Sequence, residues 1–160
     1  MAEMFLKIDG IKGESLDRWH KEEIEIQQWN WTTTNEIHWE RNQGGHSAGV
    51  KMTGVHIFKV CDRASTTLYQ YCVTGKHFKH ARIICRKNDA EKKLEYLTIE
   101  MEDVMVAAVK WTGSGDAQIL SEEIDLSFAE FYLTYKTQKD TGDADPGRDF
   151  GFNIQTQVQK

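Results

Sequence analysis

Residues 62–77 read Asp-Arg-Ala-Ser-Thr-Thr-Leu-Tyr-Gln-Tyr-Cys-Val-Thr-Gly-Lys-His. This stretch decides the fold, because it is the one convincing helix in a chain whose other apolar residues mostly alternate as strands do. Ser65 stands where an N-cap is expected, Leu68 and Cys72 (i, i+4) form an apolar stripe with Tyr71, and Gly75 is placed to end the helix in a left-handed conformation. The expected helix covers about residues 65–74, roughly three turns. So short a helix, apolar on one side only, must pack on the sheet that the strands build.

Outward from the helix, strands are expected at residues 4–9, 22–34, 50–60, 80–87, 94–101, 104–111, 118–136 and 150–158, with Glu102-Asp103 parting the fifth from the sixth. Two of them change phase. In residues 22–34, Ile24 and Ile26 share one parity while Trp29 and Trp31 share the other. In residues 118–136, Ile124, Leu126 and Phe128 give way to Phe131, Leu133 and Tyr135 on the opposite parity, with the slip near Ala129-Glu130. A bulge or bend near Gln27-Gln28 accounts for the first slip, as does a strand covered on both faces. Strands, slips and one helix together point to a mainly β fold, either a small barrel or a sharply coiled sandwich. Apolar residues displaced by the slips can instead face a neighbouring subunit. Residues 35–49, with Gly44, Gly45 and Gly49, lack a period and read as a long loop, of the kind that is often functional. Residues 139–147, which hold Pro146, read as an exposed polar turn.

With 160 residues and no internal repeat or linker, residues 1–160 are expected to form one domain. At that size about 70% of the unfolded surface can be buried without disulfides or metals. Five Trp, seven Phe and five Tyr give the core unusual aromatic weight. A net charge of −5 argues mildly against a nucleic-acid coat. Cys61, Cys72 and Cys85 are an odd set without Cys-x-x-Cys spacing, so a reducing cytosol is the expected folding compartment. Residues 1–10 lack a basic region, an apolar stretch and a cleavage site, and no run has membrane-spanning length. Any export is therefore expected to ignore the N-terminus, and membrane insertion is not expected.

Little in the sequence points to chemistry. The six histidines (20, 38, 46, 56, 77 and 80) have no companion ligand spacing, and His77 and His80 read as surface residues where the chain leaves the helix, so no metal or cofactor is expected. Cys72 and Cys85 occupy apolar positions and read as small core residues rather than nucleophiles. Gly113-Ser114-Gly115 lacks the Lys-Ser/Thr of a phosphate loop and reads as a turn. The acid pairs Glu22-Glu23, Glu102-Asp103 and Glu122-Glu123 read as a solvated face rather than as an acid and base. Lys76, Lys79, Arg82, Arg86 and Lys87 form a basic stretch with few aromatics beside it, which favours a subunit contact or plain surface over nucleic acid.

The helix segment Asp62-x-Ala64-Ser65-x-x-Leu68-x-x-x-Cys72-x-x-Gly75-Lys76-His77 resembles the haemolysin-coregulated protein (Hcp) family, the tube component of bacterial type VI secretion systems. Met4-Phe5-x-Lys7-Ile8-x-Gly10-Ile11-x-Gly13-Glu14-Ser15 is similar to the family's first strand and turn, and His20-x-x-Glu23-Ile24-Glu25-Ile26-x-x-Trp29-x-Trp31 to its second strand. Arg86-Lys87, Glu95-Tyr96-Leu97, Glu122-x-Ile124-x-Leu126-x-Phe128-Ala129, Tyr135-x-x-Gln138 and Gly151-Phe152-Asn153-Ile154 extend the resemblance over the full length. It implies a compact β-barrel of two antiparallel sheets with one flanking helix, and no enzymatic activity. It also implies a homohexameric ring stacking into a tube inside contractile sheath proteins, tipped by a VgrG-type spike protein and able to carry small effector proteins in its lumen. The protein would be cytoplasmic before firing and secreted without a signal peptide. The family's long loop, matched by residues 35–49, implies a ring-stacking role for Trp39, Glu40 and Arg41, and subunit contacts are expected at Lys76, His77, Arg82 and Arg86. The competing expectation is a monomeric cytosolic β-barrel adaptor that binds one protein ligand.

Overall fold

The alternation of apolar and polar residues lays the chain out as antiparallel strands. The computed structural model describes residues 2–42, 44–88, 93–137 and 147–160. Within them lie β1 (Ala2–Ile8), β2 (Ile24–Glu25), β3 (Gln28–Asn30), β4 (Thr33–Glu40), β5 (Gly44–Met52), β6 (Val55–Val60), β7 (His77–Asn88), β8 (Lys93–Thr112), β9 (Ser121–Tyr135), β10 (Arg148–Asn153) and β11 (Val158–Gln159). Helix α1 (Ser65–Thr74) joins β6 to β7. The fold is mainly β and antiparallel with a flanking helix, as the alternation and the resemblance imply.

Both phase slips mark places where a strand changes neighbour. Ile26 N–H donates to Met4 O (3.1 Å) and Gln27 N–H donates to Phe58 O (2.8 Å), so the chain passes from β1 to β6 within one residue. Ile24 and Ile26 are accordingly buried beside β1, while Trp29, paired with Ile57, is half-buried on the other parity. In β9, residues 121–126 pair with β6 and residues 130–135 with β10, while β8 follows the other edge. The pairings therefore run through β1, β7, β8, β9, β6 and β3, and the bend at Ile26-Gln27 leads back to β1. Leu6, Ile24, Ile57, Ile83, Ile99, Met101, Ile124 and Leu126 fill the space they enclose. Leu68 seats α1 in this core, against β8.

Several expectations need correction. The helix spans Ser65–Thr74 and Gly75 ends it at φ +65°, but Ser65 is its first residue rather than its cap. The Ser65 hydroxyl instead donates to the buried carboxylate of Glu122 (2.6 Å), a charge-assisted bond, and its oxygen accepts the Asp62 N–H (2.9 Å) rather than a helix N–H. The expected strands 94–101 and 104–111 are one 20-residue strand, β8. Glu102 and Asp103 face solvent there, and Asp103 absorbs a local twist at φ +51°, which a short polar residue tolerates. The expected strand 150–158 is broken, because Asn153 Oδ1 accepts the Thr156 N–H (2.9 Å) in a turn. The turn read at residues 139–147 lies outside the described residues except for Gly147. Residues 35–49 are not a loop, for they form most of the β4–β5 hairpin.

Candidate assembly surface

The β4–β5 hairpin is a two-stranded sheet of its own, and every residue of β4 is exposed. Eight residues of extended chain reach about 27 Å. The arm is fixed at its base. Trp31 packs edge-on against Phe128 and Phe131, with centroids at 5.6 and 4.8 Å, and its indole N–H donates to Thr53 O (3.0 Å). Thr53 N–H in turn donates to Thr32 O (2.9 Å). Beyond the base the arm has two unlike faces. Ile37, Trp39 and Val50 are exposed apolar side chains, and Asn35 and Ser47 bond to each other between them (2.6 Å). The Trp39 ring lies over Gly45, where a Cβ would come within 2.9 Å of it. The other face carries Glu36 and His38, with His46 directly opposite His38. An isolated hairpin is marginal in water, so an arm with Trp39 80% exposed lacks the packing that normally orders one.

The three residues expected to stack sit at the free end: Trp39 and Glu40 close β4 and Arg41 begins the turn. The basic stretch is dispersed by the fold. Lys76 lies over the Tyr71 ring (5.0 Å), and exposed His77 has its Nδ1 2.8 Å from Asp103. Arg82 borders a groove of about 360 Å³ on the outer face, lined also by Lys7, Asp9, His80, Glu100 and Glu102, and its buried Nε has no hydrogen-bond partner among the described residues. Arg86 is different. Only 2% of it is exposed, Nε donates to Glu3 (2.9 Å), and Nη1 and Nη2 donate to the two Asp17 oxygens (3.0 and 2.5 Å). It is an interior tie within the protomer rather than a surface contact: it shares the parity of buried Ile84, and its guanidinium lies against the rings of Phe5 (5.1 Å) and Trp19 (6.0 Å). The Arg86 guanidinium holds the Asp17 carboxyl well below the usual carboxylate range.

Sequence reading missed a second interior network. Along the inner face of β6 and β9 the cross-strand pairs run Val55–Leu126, Ile57–Ile124 and then Lys59–Glu122, so an ion pair continues an apolar row. Lys59 Nζ donates to Glu122, to Asp62 Oδ1 (2.9 Å), to Ser65 Oγ (3.1 Å) and to Val60 O (2.9 Å), and Trp111 Nε1 donates to Glu122 Oε1 (2.9 Å). Glu122 is therefore not on a solvated face, and Glu23 is buried as well. The i, i+2 parity with Ile124 and Leu126 was the signal that could have placed Glu122 inside. A Ser–Lys pair at this distance recurs in nucleophilic sites, but here both groups are sealed from solvent and the ammonium is bound to two carboxylates. On the outer face His56 lies between Asp125 at Nδ1 and Glu123 at Nε2 (3.1 Å), and the bond to Asp125 raises its pKa. Cys85 is a core residue whose thiol burial pushes up, whereas Cys72 is half-buried. Among the described residues no helix is long and apolar enough to cross a membrane.

A mainly β, antiparallel body with one packed helix and an exposed two-stranded β-arm is the class of protein these elements define. The family model described as "Type VI secretion system effector, Hcp" matches residues 5–135. Protein hcp1 of Pseudomonas aeruginosa is 35% identical over 159 residues, covering 99% of this chain and 98% of that protein. A solved type six secretion system protein superposes with a TM-score of 0.93 at 25% identity over the whole of both chains. Hcp1 from Salmonella typhimurium does so with 0.77 at 32% identity over 99% of each. The chain belongs to the Hcp family of type VI secretion system proteins.

Proposed function

We propose that residues 1–160 act as one subunit of a homohexameric ring, and that the rings stack into the inner tube of a type VI secretion system. The observation that carries this reading is the β4–β5 arm, a folded hairpin whose apolar side chains Ile37, Trp39 and Val50 stay exposed. Ile37, Trp39 and Val50 are of the kind that becomes ordered by burial against a second copy, and Trp39 with Arg41 at the tip are the expected anchors. Glu40 belongs to the same contact. Lateral contacts between protomers use the outer face near Lys76, His77 and Arg82, where the unsatisfied Arg82 Nε supports an incoming acceptor.

In this reading the protein is structural and not an enzyme. It assembles in the cytoplasm inside contractile sheath proteins, bears a VgrG-type spike protein, carries small effector proteins in the ring lumen and leaves the cell without a signal peptide. Negative-stain imaging of the purified protein tests it. Annular particles with a central channel are expected, whereas compact featureless particles would favour the adaptor that binds one protein ligand.

A further inference from the structure

We propose that the polar face of the β4–β5 arm is a zinc site, in which His38, His46 and Glu36 hold one four-coordinate Zn²⁺ and water takes the fourth position. The proposal rests on the geometry of the hairpin and is independent of how rings form or stack. His38 and His46 are directly opposite each other on antiparallel strands, so both imidazoles rise from the same face. Their ring centroids are 5.8 Å apart with the planes tilted by 36°. Two imidazoles on one tetrahedral zinc, with Zn–N bonds of about 2.0–2.1 Å, have centroids roughly 5 Å apart, so the rings must close up slightly and turn their nitrogens toward one ion. Glu36, two residues before His38 and on the same face, has Oε1 3.3 Å from His38 Nε2. Neighbouring donors in a tetrahedral zinc sphere are also about 3.3 Å apart, so this oxygen and nitrogen already have the separation of two ligands.

Among the described residues no three such groups are placed to hold a metal ion as they stand, so binding requires the side chains of His38, His46 and Glu36 to change rotamer. His38 and Glu36 are more than half exposed, so the ion has open access. The donor set of two imidazoles and a carboxylate suits Zn²⁺ rather than Mg²⁺ or Ca²⁺, which prefer oxygen. The eight-residue spacing of the two histidines carries no signal while the segment is read as a loop. The hairpin is what makes them neighbours.

The test is a titration of the tag-free, full-length protein with Zn²⁺, by calorimetry or by competition with a chromophoric chelator. One saturable ion per chain is expected, with a dissociation constant in the micromolar range. His38→Ala and His46→Ala should each weaken binding by about tenfold or more, Glu36→Gln by less, and His77→Ala not at all. Circular dichroism should be unchanged in all four, because every substituted side chain is exposed. Absence of saturable binding, unchanged affinity in either His38→Ala or His46→Ala, or an affinity that follows His77 instead would overturn the proposal.

Discussion

The body of the protein and its arm are held together by opposite means. In the body two cations are turned inward and ringed by partners: Lys59 with Glu122, Asp62 and Ser65, and Arg86 with Glu3 and Asp17. In the arm the ladder of β4 and β5 is nearly all there is, and its largest side chain, Trp39, covers only a glycine. A buried ion pair is weak evidence for stability, since desolvation offsets much of its attraction, but it tolerates no missing partner. The contrast separates two kinds of substitution. Changes in the body should be felt by the protomer, and changes in the arm only by what the protomer meets.

The largest effect is expected at Lys59. Lys59→Met leaves Glu122 buried without its counter-charge and should lower unfolding stability by about 3–5 kcal/mol in urea denaturation, whereas Lys59→Met with Glu122→Gln should recover part of the loss. Equal losses in the single and double variants would show that packing, not charge, matters there. Next comes Arg86→Ala, with an expected loss of about 2–4 kcal/mol and a change in acid sensitivity. The Asp17 pKa is depressed in the folded state, so its contribution is present above the unfolded value near 4 and is lost as the pH falls toward the lower native value. Arg86→Ala should remove that part of the acid-denaturation curve, and an unaltered curve would detach Asp17 from Arg86.

A smaller effect, under about 1 kcal/mol, is expected at the half-exposed His56. Its pKa is raised, so its contribution is complete below the unfolded value near 6.5 and disappears as the pH rises through the higher native value. His56→Gln should flatten stability against pH across that window, with Asp125, Glu123 and the nearby Lys110 unchanged. Least of all, Trp39→Ala with Arg41→Ala should alter protomer stability by less than about 0.5 kcal/mol while shortening stacked assemblies seen by electron microscopy. Loss of the ring itself in that variant would place these residues in lateral contacts instead.

Much of the body is legible in the sequence because its period is interrupted at the right places. The parity change after Ile26 and the one at Ala129-Glu130 are the two points where a strand exchanges one neighbour for another, so an apparent irregularity encodes the topology. The arm is harder to read. Glu36, Ile37, His38, Trp39 and Glu40 do alternate, but the returning strand is Gly-Gly-His-Ser-Ala-Gly, which offers no apolar residue to pair with them. The Lys59–Glu122 pair was hidden for the converse reason: polarity suggests solvent, while parity with Ile57 and Ile124 places both inside. Glu102-Asp103 misled in the same way, since two acids on an outer face do not end a strand.

The central claim, that this chain is a ring subunit whose exposed surfaces are completed by copies of itself, is tested most directly by native mass spectrometry of the untagged protein. A dominant species at six times the 18.5 kDa of one chain is expected. A strictly monomeric species at high protein concentration would contradict it.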